Sequence, residues 1–222
     1  MAWRQRLAET LVETPRLRGV LPRRAVVMIL LSGDGPDPEM VFEVRANGIP
    51  QSGEIGFPGG KVDPLTDKTV ADTALREASE ELGVPASAFQ VLGRMDSLLT
   101  RWGLQIDVVV CHTALRVAEF HPSPDEVARV FGLRLSWLRA QTPEIHRILV
   151  QSHPVRTDPQ TGEQTVLFPA KSLDLPERYH QPWGDTITNI YAYRSPEGVV
   201  WGITGDILHD FLARYETAGQ TP

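Results

Sequence analysis

The chain has 222 residues, a net charge of −6, 41% hydrophobic and 23% charged residues, which excludes a disordered or fibrous class and suits an ordinary globular protein. That length allows one large domain with a full hydrophobic core. The acidic balance argues against a general nucleic-acid-binding surface, while leaving room for a nucleotide or phosphate held by a local basic patch or by metal ions.

The opening WRQRLAETLVET reads as a short amphipathic helix with Trp3, Leu7 and Leu11 on one face, an extension over residues 1–20. Next comes AVVMILLS, a buried strand whose apolar run Ala25–Leu31 falls far short of the ~20 residues that span a bilayer. No charged start, apolar stretch and cleavage site open the chain, so the expected location is the cytoplasm, with no membrane partner. SGDGPDPE is turn chemistry and MVFEVRA a second strand. NGIPQSGEIGFPGGKVDP, rich in Gly and Pro, reads as an ordered loop or short strand. A helix from about Thr69 to Leu82 follows, with Gly83 suited to a left-handed cap.

FQVLGRMDSLLT and LQIDVVVCHTALRV read as strands around an Arg-Trp-Gly turn. The single cysteine, Cys111, lies in the second and reads as a small buried hydrophobe in a reducing compartment. SPDEVARVFGLRLSWLRA suggests a loop or helical turn, a strand and a helix. HRILVQS and QTVLFPA are expected to flank the turn DPQTGE; TNIYAYRS and VVWG are two more strands, and ITGDILHDFLARYE is a helix. Strands outnumber helices and do not alternate with them, which predicts an α+β fold with a mixed sheet. No linker is polar or long enough for a boundary, so residues 1–222 are expected to form one domain with its core at about 24–212.

The helix ends on three glutamates, Glu77, Glu80 and Glu81. Acids there face the negative end of the helix dipole, at about 0.3–1 kcal/mol each, and like charges three or four residues apart add repulsion. The opposite side, Ala71, Leu75, Ala78 and Leu82, is apolar. The glutamates are therefore either a solvated polar face or the ligands of a hard divalent cation, which takes oxygen donors and is typically shared with substrate phosphates. Just upstream lie a Gly59–Gly60 turn, Asp63 and Asp67. The six histidines show no metal-ligand spacing, and no Walker loop, nucleophile elbow or paired CxxC is present.

GGKVDPLTDKTVADTALREASEELGV resembles the Nudix box, G-x5-E-x7-R-E-U-x-E-E-x-G-U, in which U is aliphatic. Arg76, Glu77, Ala78, Glu80, Glu81, Gly83 and Val84 match its second half. The first half is two residues longer, and Asp67 or Asp63 stands in for its first glutamate. The lengthened G-G-K-x-D-P, together with VFEVRA, the Gly53–Gly60 run G-x3-FPGG, PDEVARVFGLRL and VWGITGDIL, is similar to the coenzyme A pyrophosphatase branch of that family. NGIPQS departs from the branch in lacking a second arginine between Arg45 and Gly53.

The resemblance implies a Nudix α/β/α sandwich, with a mixed sheet between helices. It implies an Mg²⁺- or Mn²⁺-dependent hydrolysis of the diphosphate of coenzyme A or a derivative, to 3′,5′-ADP and a phosphopantetheine. Other nucleoside diphosphate derivatives (ADP-ribose, NADH) and nucleoside triphosphates remain alternatives, as does a binding module that does not hydrolyse. By the same resemblance, Glu77 and Glu81 would bind metal, Glu80 a further metal or a proton, and the Gly60 carbonyl would complete the shell. Arg76 would orient the carboxylates through Asp63 or Asp67, and Glu80 and Glu126 are candidate general bases. Arg45, with the Gly59–Gly60 turn, is a candidate for substrate phosphate, and Arg23 and Arg24 are further ones. Asp125 and Glu126 fit a helix N-terminal pair equally well, and Trp201 and Thr204 are expected to pack and cap, with lining the pocket as the alternative. Homodimers are frequent in the family, so residues 1–20 and the late strands are candidate interface segments.

Overall fold

The aliphatic run Ala25–Leu31 lies within strand β1 (Arg23–Ser32) of a computed structural model that describes residues 23–218. The expected N-terminal helix with Trp3, Leu7 and Leu11 lies outside the described residues. In chain order there follow β2 (Glu39–Arg45), β3 (Ile55–Gly56), β4 (Gly59–Lys61), α1 (Val70–Leu82), β5 (Gln90–Arg94), β6 (Leu98–Leu99), β7 (Leu104–Thr113) and β8 (Val127–Arg134). Then come α2 (Leu135–Arg139), β9 (Glu144–Ser152), β10 (Val155–Thr157), β11 (Gln164–Val166), β12 (Trp183–Ser195), β13 (Gly198–Val200) and α3 (Gly202–Ala218). The chain folds as two compact units, one running to Ser52 and from Phe57 to Leu133, the other made of Gly53–Gly56 and the residues from Arg134 onward.

In the first unit the sheet runs β2-β1-β7-β5, with β4 also on β1, β6 on β7 and β8 on β2. β1 and β7 are parallel along their length, from Arg23↔Leu104 to Ser32↔Thr113, whereas β2, β4 and β5 pair antiparallel with their neighbours. The sheet is therefore mixed and the architecture α+β, as the sequence predicts. A strand covered on both sides reads as a continuous apolar run rather than an alternating one, and Met28, Ile29 and Leu30 are indeed fully buried. One face packs Val26, Met28, Leu30, Val41, Val109 and Cys111 against Ala74, Ala78 and Leu82 of α1. The side chains of opposite parity include Phe42, whose ring stacks on Phe57 and Phe131. Burial pushes the Cys111 thiol up to about 12, which leaves it a small hydrophobe.

One edge of β1 is shared, and this opens the site. Leu31 and Ser32 pair with Met40 and Glu39 of β2, while Ala25, Val26 and Val27 pair with Lys61, Gly60 and Gly59 of β4. Between them the Met28 N–H donates to the Pro58 carbonyl at 2.7 Å. Two strands entering on one edge bring the Gly-Gly turn beneath α1.

In the second unit β9 pairs with β12 and β12 with β13. HRILVQS therefore does not flank the turn DPQTGE, contrary to expectation; Val155–Thr157 and Gln164–Val166 do. The reason is local. The Asp158 carboxylate accepts the Gln160 and Thr161 N–H groups, which closes a tight hairpin on the residues next to it, and Pro154 separates β9 from that hairpin. Helix α3 forms as predicted. Trp201 is 46% exposed, so its indole is not the packing residue expected. Among the described residues no helix is long and apolar enough to cross a membrane.

Candidate active site

Helix α1 is held at its start by its own sequence and at its end by a segment remote in the chain. At the start, the Thr69 hydroxyl accepts the Asp72 N–H at 3.1 Å and the Asp72 carboxylate accepts the Thr69 N–H at 2.8 Å, a reciprocal cap. At the end, Gly83 adopts φ 65°, and a Cβ there would lie 1.8 Å from the His121 carbonyl oxygen. That close approach lets the His121 N–H donate to the Leu82 carbonyl at 2.8 Å and the Ser123 N–H to the Glu81 carbonyl at 3.1 Å. Orphan carbonyls at a helix end need donors, and here backbone amides supply them, with no basic residue in the last turn.

The same contact delivers Glu126. Its N–H donates to the Ser123 carbonyl, and its own carbonyl accepts the Ala46 N–H at 2.9 Å, tying it to the end of β2 beside Arg45. Asp125 and Glu126 lie in a turn that leads directly into β8, so they are not a helix N-terminal pair. The proline at 124 and the β-branched residues beyond favour strand over helix there.

Beneath the helix, Gly59 has φ 150°, and a Cβ would sit 2.2 Å from the Val26 carbonyl oxygen, so only glycine fits. Its N–H donates to Glu81 Oε2 at 2.7 Å. A Cβ on Gly60 would lie 2.3 Å from the Glu77 carboxyl carbon. The Gly-Gly turn is thus a bare backbone surface pressed against two of the three helix glutamates.

Arg76 binds on the other flank. Its Nε and Nη2 reach Asp67 at 3.0 and 2.9 Å, its Nη1 reaches Glu77 at 3.0 Å and Glu80 at 3.4 Å, and Nη2 also donates to the Lys61 carbonyl. Asp67, and not Asp63, is the forked partner. Asp63 instead accepts the Leu65 N–H and donates its own N–H to Asp67, shaping the lengthened loop. The Arg76 guanidinium first, then the Asp63 N–H and the Thr73 hydroxyl, hold Asp67 well below the usual carboxylate range, against its burial.

The remaining carboxylates are less well matched. Glu81 is 4% exposed and Glu43, on β2, is 1% exposed. Burial pushes the Glu81 carboxyl well up against the Gly59 N–H, and the charges of Glu77 and Glu126 add to that while Arg45 opposes it. Glu43 is raised by burial, then by Glu81, Glu126 and Glu77, again with Arg45 opposing. Glu77 is raised by burial, with Arg76 opposing. Glu43, Glu77, Glu81 and Glu126 therefore share one electrostatic neighbourhood, with Arg45 at its margin.

Arg45 keeps its place by donating Nε to the Pro50 carbonyl at 3.0 Å. Glu80 points outward, its side chain 58% exposed. Arg24 is committed to the buried Asp107 at 2.8 Å. Glu43 is the site residue that sequence reasoning missed; its one signal is a carboxylate inside the apolar strand MVFEV.

Among the described residues no three carboxylates or imidazoles close around a single point. Glu77 is turned to Arg76 and Glu81 to the Gly59 N–H. The donor set nevertheless fits a hard divalent cation. It consists of oxygens, it carries excess negative charge, and it is backed by a glycine whose Cβ would collide with the Glu77 carboxylate.

A family model described as NUDIX domain matches residues 21–167. An uncharacterized Nudix hydrolase NudL from Pectobacterium atrosepticum is 36% identical over 122 residues, 54% of this chain and 62% of its own. NudL of Yersinia enterocolitica is 38% identical over 122 residues, 50% of this chain and 59% of its own. The chain thus spans about three-fifths of the length of these curated relatives. Among solved structures, a Nudix hydrolase from M. Smegmatis, RenU, has a TM-score of 0.42 and 21% identity, over 51% of this chain and 71% of that one.

Proposed function

The chain belongs to the NUDIX family, and from that premise we propose that it is a divalent-metal-dependent diphosphatase acting on coenzyme A or a derivative of it. The observation that carries the reading is the seating of the Gly59–Gly60 backbone against Glu77 and Glu81, with Glu43, Glu126 and Arg45 grouped around them.

Hydrolysis of a diphosphate must bring water to a phosphorus screened by negative oxygens. Bound Mg²⁺ or Mn²⁺ supplies neutralisation of those oxygens and acidifies water. Glu77 and Glu81 would hold the cation, with the Gly60 carbonyl beside them. The Gly59 N–H fixes the Glu81 oxygen, and Arg76, itself anchored on Asp67, fixes Glu77. Such preorganisation matters because phosphoryl transfer depends mainly on positioning and charge. Arg45, whose charge reaches Glu43 and Glu81, would meet a substrate phosphate. Both candidate bases are exposed; the Glu126 charge reaches Glu43, Glu77 and Glu81, whereas Glu80 is paired with Arg76, which favours Glu126 as proton acceptor.

The coenzyme A preference rests on G-x3-FPGG, PDEVARVFGLRL and VWGITGDIL. A second reading keeps the chemistry and changes the substrate to ADP-ribose, a dinucleotide such as NADH, or a nucleoside triphosphate. It is favoured by the loop after β2, where NGIPQS has no basic side chain and Asn47 instead accepts the Ser52 hydroxyl. The test is product analysis by chromatography after incubation with Mg²⁺ or Mn²⁺ and, separately, coenzyme A, dephospho-coenzyme A, ADP-ribose, NADH and nucleoside triphosphates. Release of 3′,5′-ADP from coenzyme A, faster than any other cleavage, is the expected result. Faster turnover of another compound selects the second reading, and tight nucleotide binding with no product at all removes both.

A further inference from the structure

Glu43 is out of place in its strand. Met40, Val41 and Phe42 before it are fully buried apolar residues, and Glu43 itself is 1% exposed. Side chains alternate across a strand. Phe42 therefore faces Phe57 and Phe131, while Val41 and Glu43 share the opposite face, where Val41 packs in the cluster with Ala74, Ala78 and Leu82 of α1. The carboxylate is thus turned to the helix that carries the glutamates. The charges that reach it are those of Glu81, Arg45, Glu126 and Glu77.

Its Oε2 is one of two buried side-chain atoms among the described residues with no hydrogen-bond partner. Buried polar atoms are nearly always satisfied, and a buried carboxyl oxygen without a partner is a costly exception whether or not it carries a proton. If the position needed only filling, leucine or methionine would do so without that cost. Its known neighbours do not remove it, because three of the four are also carboxylates. A cation among those carboxylates would.

We propose that Glu43 is a further ligand of the divalent cation held by Glu77 and Glu81, contributed by strand β2 from outside the helix motif. The inference rests on the metal-dependent reading above and extends its ligand set. Mg²⁺ and Mn²⁺ favour oxygen donors in larger number than two side chains supply. A ligand from a sheet strand also joins the cation site to the fold's core.

The test uses Mn²⁺ alone, titrated by calorimetry into the full chain after chelator treatment, without nucleotide. Thermal melting of the metal-free protein is measured alongside. Glu43→Gln is expected to raise the Mn²⁺ dissociation constant at least about tenfold, with the metal-free melting temperature unchanged or higher. Unchanged Mn²⁺ affinity in Glu43→Gln, where Glu81→Gln loses it, overturns the inference and leaves the proposed function standing. Unchanged affinity in both variants removes the metal site itself. If Glu43→Gln lowers the metal-free melting temperature, Glu43→Asp decides: it keeps the charge and withdraws the oxygen by one methylene. Weaker Mn²⁺ binding in Glu43→Asp at unchanged metal-free stability supports ligation. Loss of metal-free stability in both variants assigns Glu43 a structural role and overturns the proposal.

Discussion

The two flanks of helix α1 treat negative charge in opposite ways. On one, Asp67 receives two N–H groups of Arg76, the Asp63 N–H and the Thr73 hydroxyl, and its carboxyl falls below the usual range. On the other, Glu81 and Glu43 are as deeply buried, yet one has a single backbone donor and the other an unpartnered oxygen, and both carboxyls are pushed up. The Asp67 side chain is only 3% exposed, so shielding from water does not by itself separate the flanks. What differs is whether the fold supplies the counter-charge. Where it does, the carboxylate is a strut; where it does not, the shortfall matches what a divalent cation brings.

Glu81→Gln breaks this contrast on its unbalanced side and has the largest expected effect. It removes a ligand charge while keeping shape, so turnover should fall by at least about a hundredfold. Stability should move the other way. A carboxyl raised in the fold above its ordinary 4.5 binds its proton more tightly there than in the unfolded chain. Metal-free stability is therefore full below that value and declines as pH rises above it. The variant lacks that decline, so at neutral pH without metal it should melt no lower than the parent. Calorimetric melting with and without chelator checks the sign, and undiminished turnover would contradict the site.

Asp67→Asn breaks the balanced side. Arg76 loses its forked partner, and with it the brace on Glu77. The expected cost is about 1–3 kcal/mol of stability, read from denaturant midpoints. The pH sign is opposite to that of Glu81. A carboxyl depressed in the fold contributes stability that is present above its ordinary 3.8 and lost as pH falls below it. The parent should lose this contribution in acid, and the variant, already without it, should show a shallower acid limb. An unchanged limb would mean that Asp67 is not the strut.

Both sides were partly legible in the sequence: the helix ends and the arginine's partners on the balanced side, and Glu77, Glu81, Glu126, Arg45 and the Gly59–Gly60 turn on the other. Gly83 as a left-handed cap and the helix from Thr69 follow from local spacing, and Asp67 or Asp63 as the arginine's partner was implied by the resemblance to the Nudix box. Glu43 was missed. It lies 38 residues upstream of Glu81, and its meeting with that residue depends on β2 and β4 sharing one edge of β1, a non-local arrangement that no periodicity encodes. Parity along MVFEV says only that Glu43 and Phe42 face opposite ways; that both faces are covered emerges only in the folded sheet. Exchanging HRILVQS for Val155–Thr157 as the strand before DPQTGE has the same root, since pairing partners are chosen in three dimensions.

Glu80 sharpens the comparison at its smallest scale, because it has the helix motif's chemistry and the wrong exposure. Its side chain is 58% exposed and lies 3.4 Å from Arg76 at i,i+4. An exposed pair of this kind is worth roughly 0.2–1 kcal/mol at most, so Glu80→Gln should barely move the melting temperature. If the buried, unbalanced carboxylates hold the cation and Glu126 takes the proton, turnover should fall much less than in Glu81→Gln, and Glu126→Gln should cost more than Glu80→Gln. Parallel kcat measurements at saturating Mn²⁺ settle the order. A collapse in Glu80→Gln equal to that in Glu81→Gln would place the outward glutamate in the chemistry, and charge balance would then not separate struts from ligands on this helix.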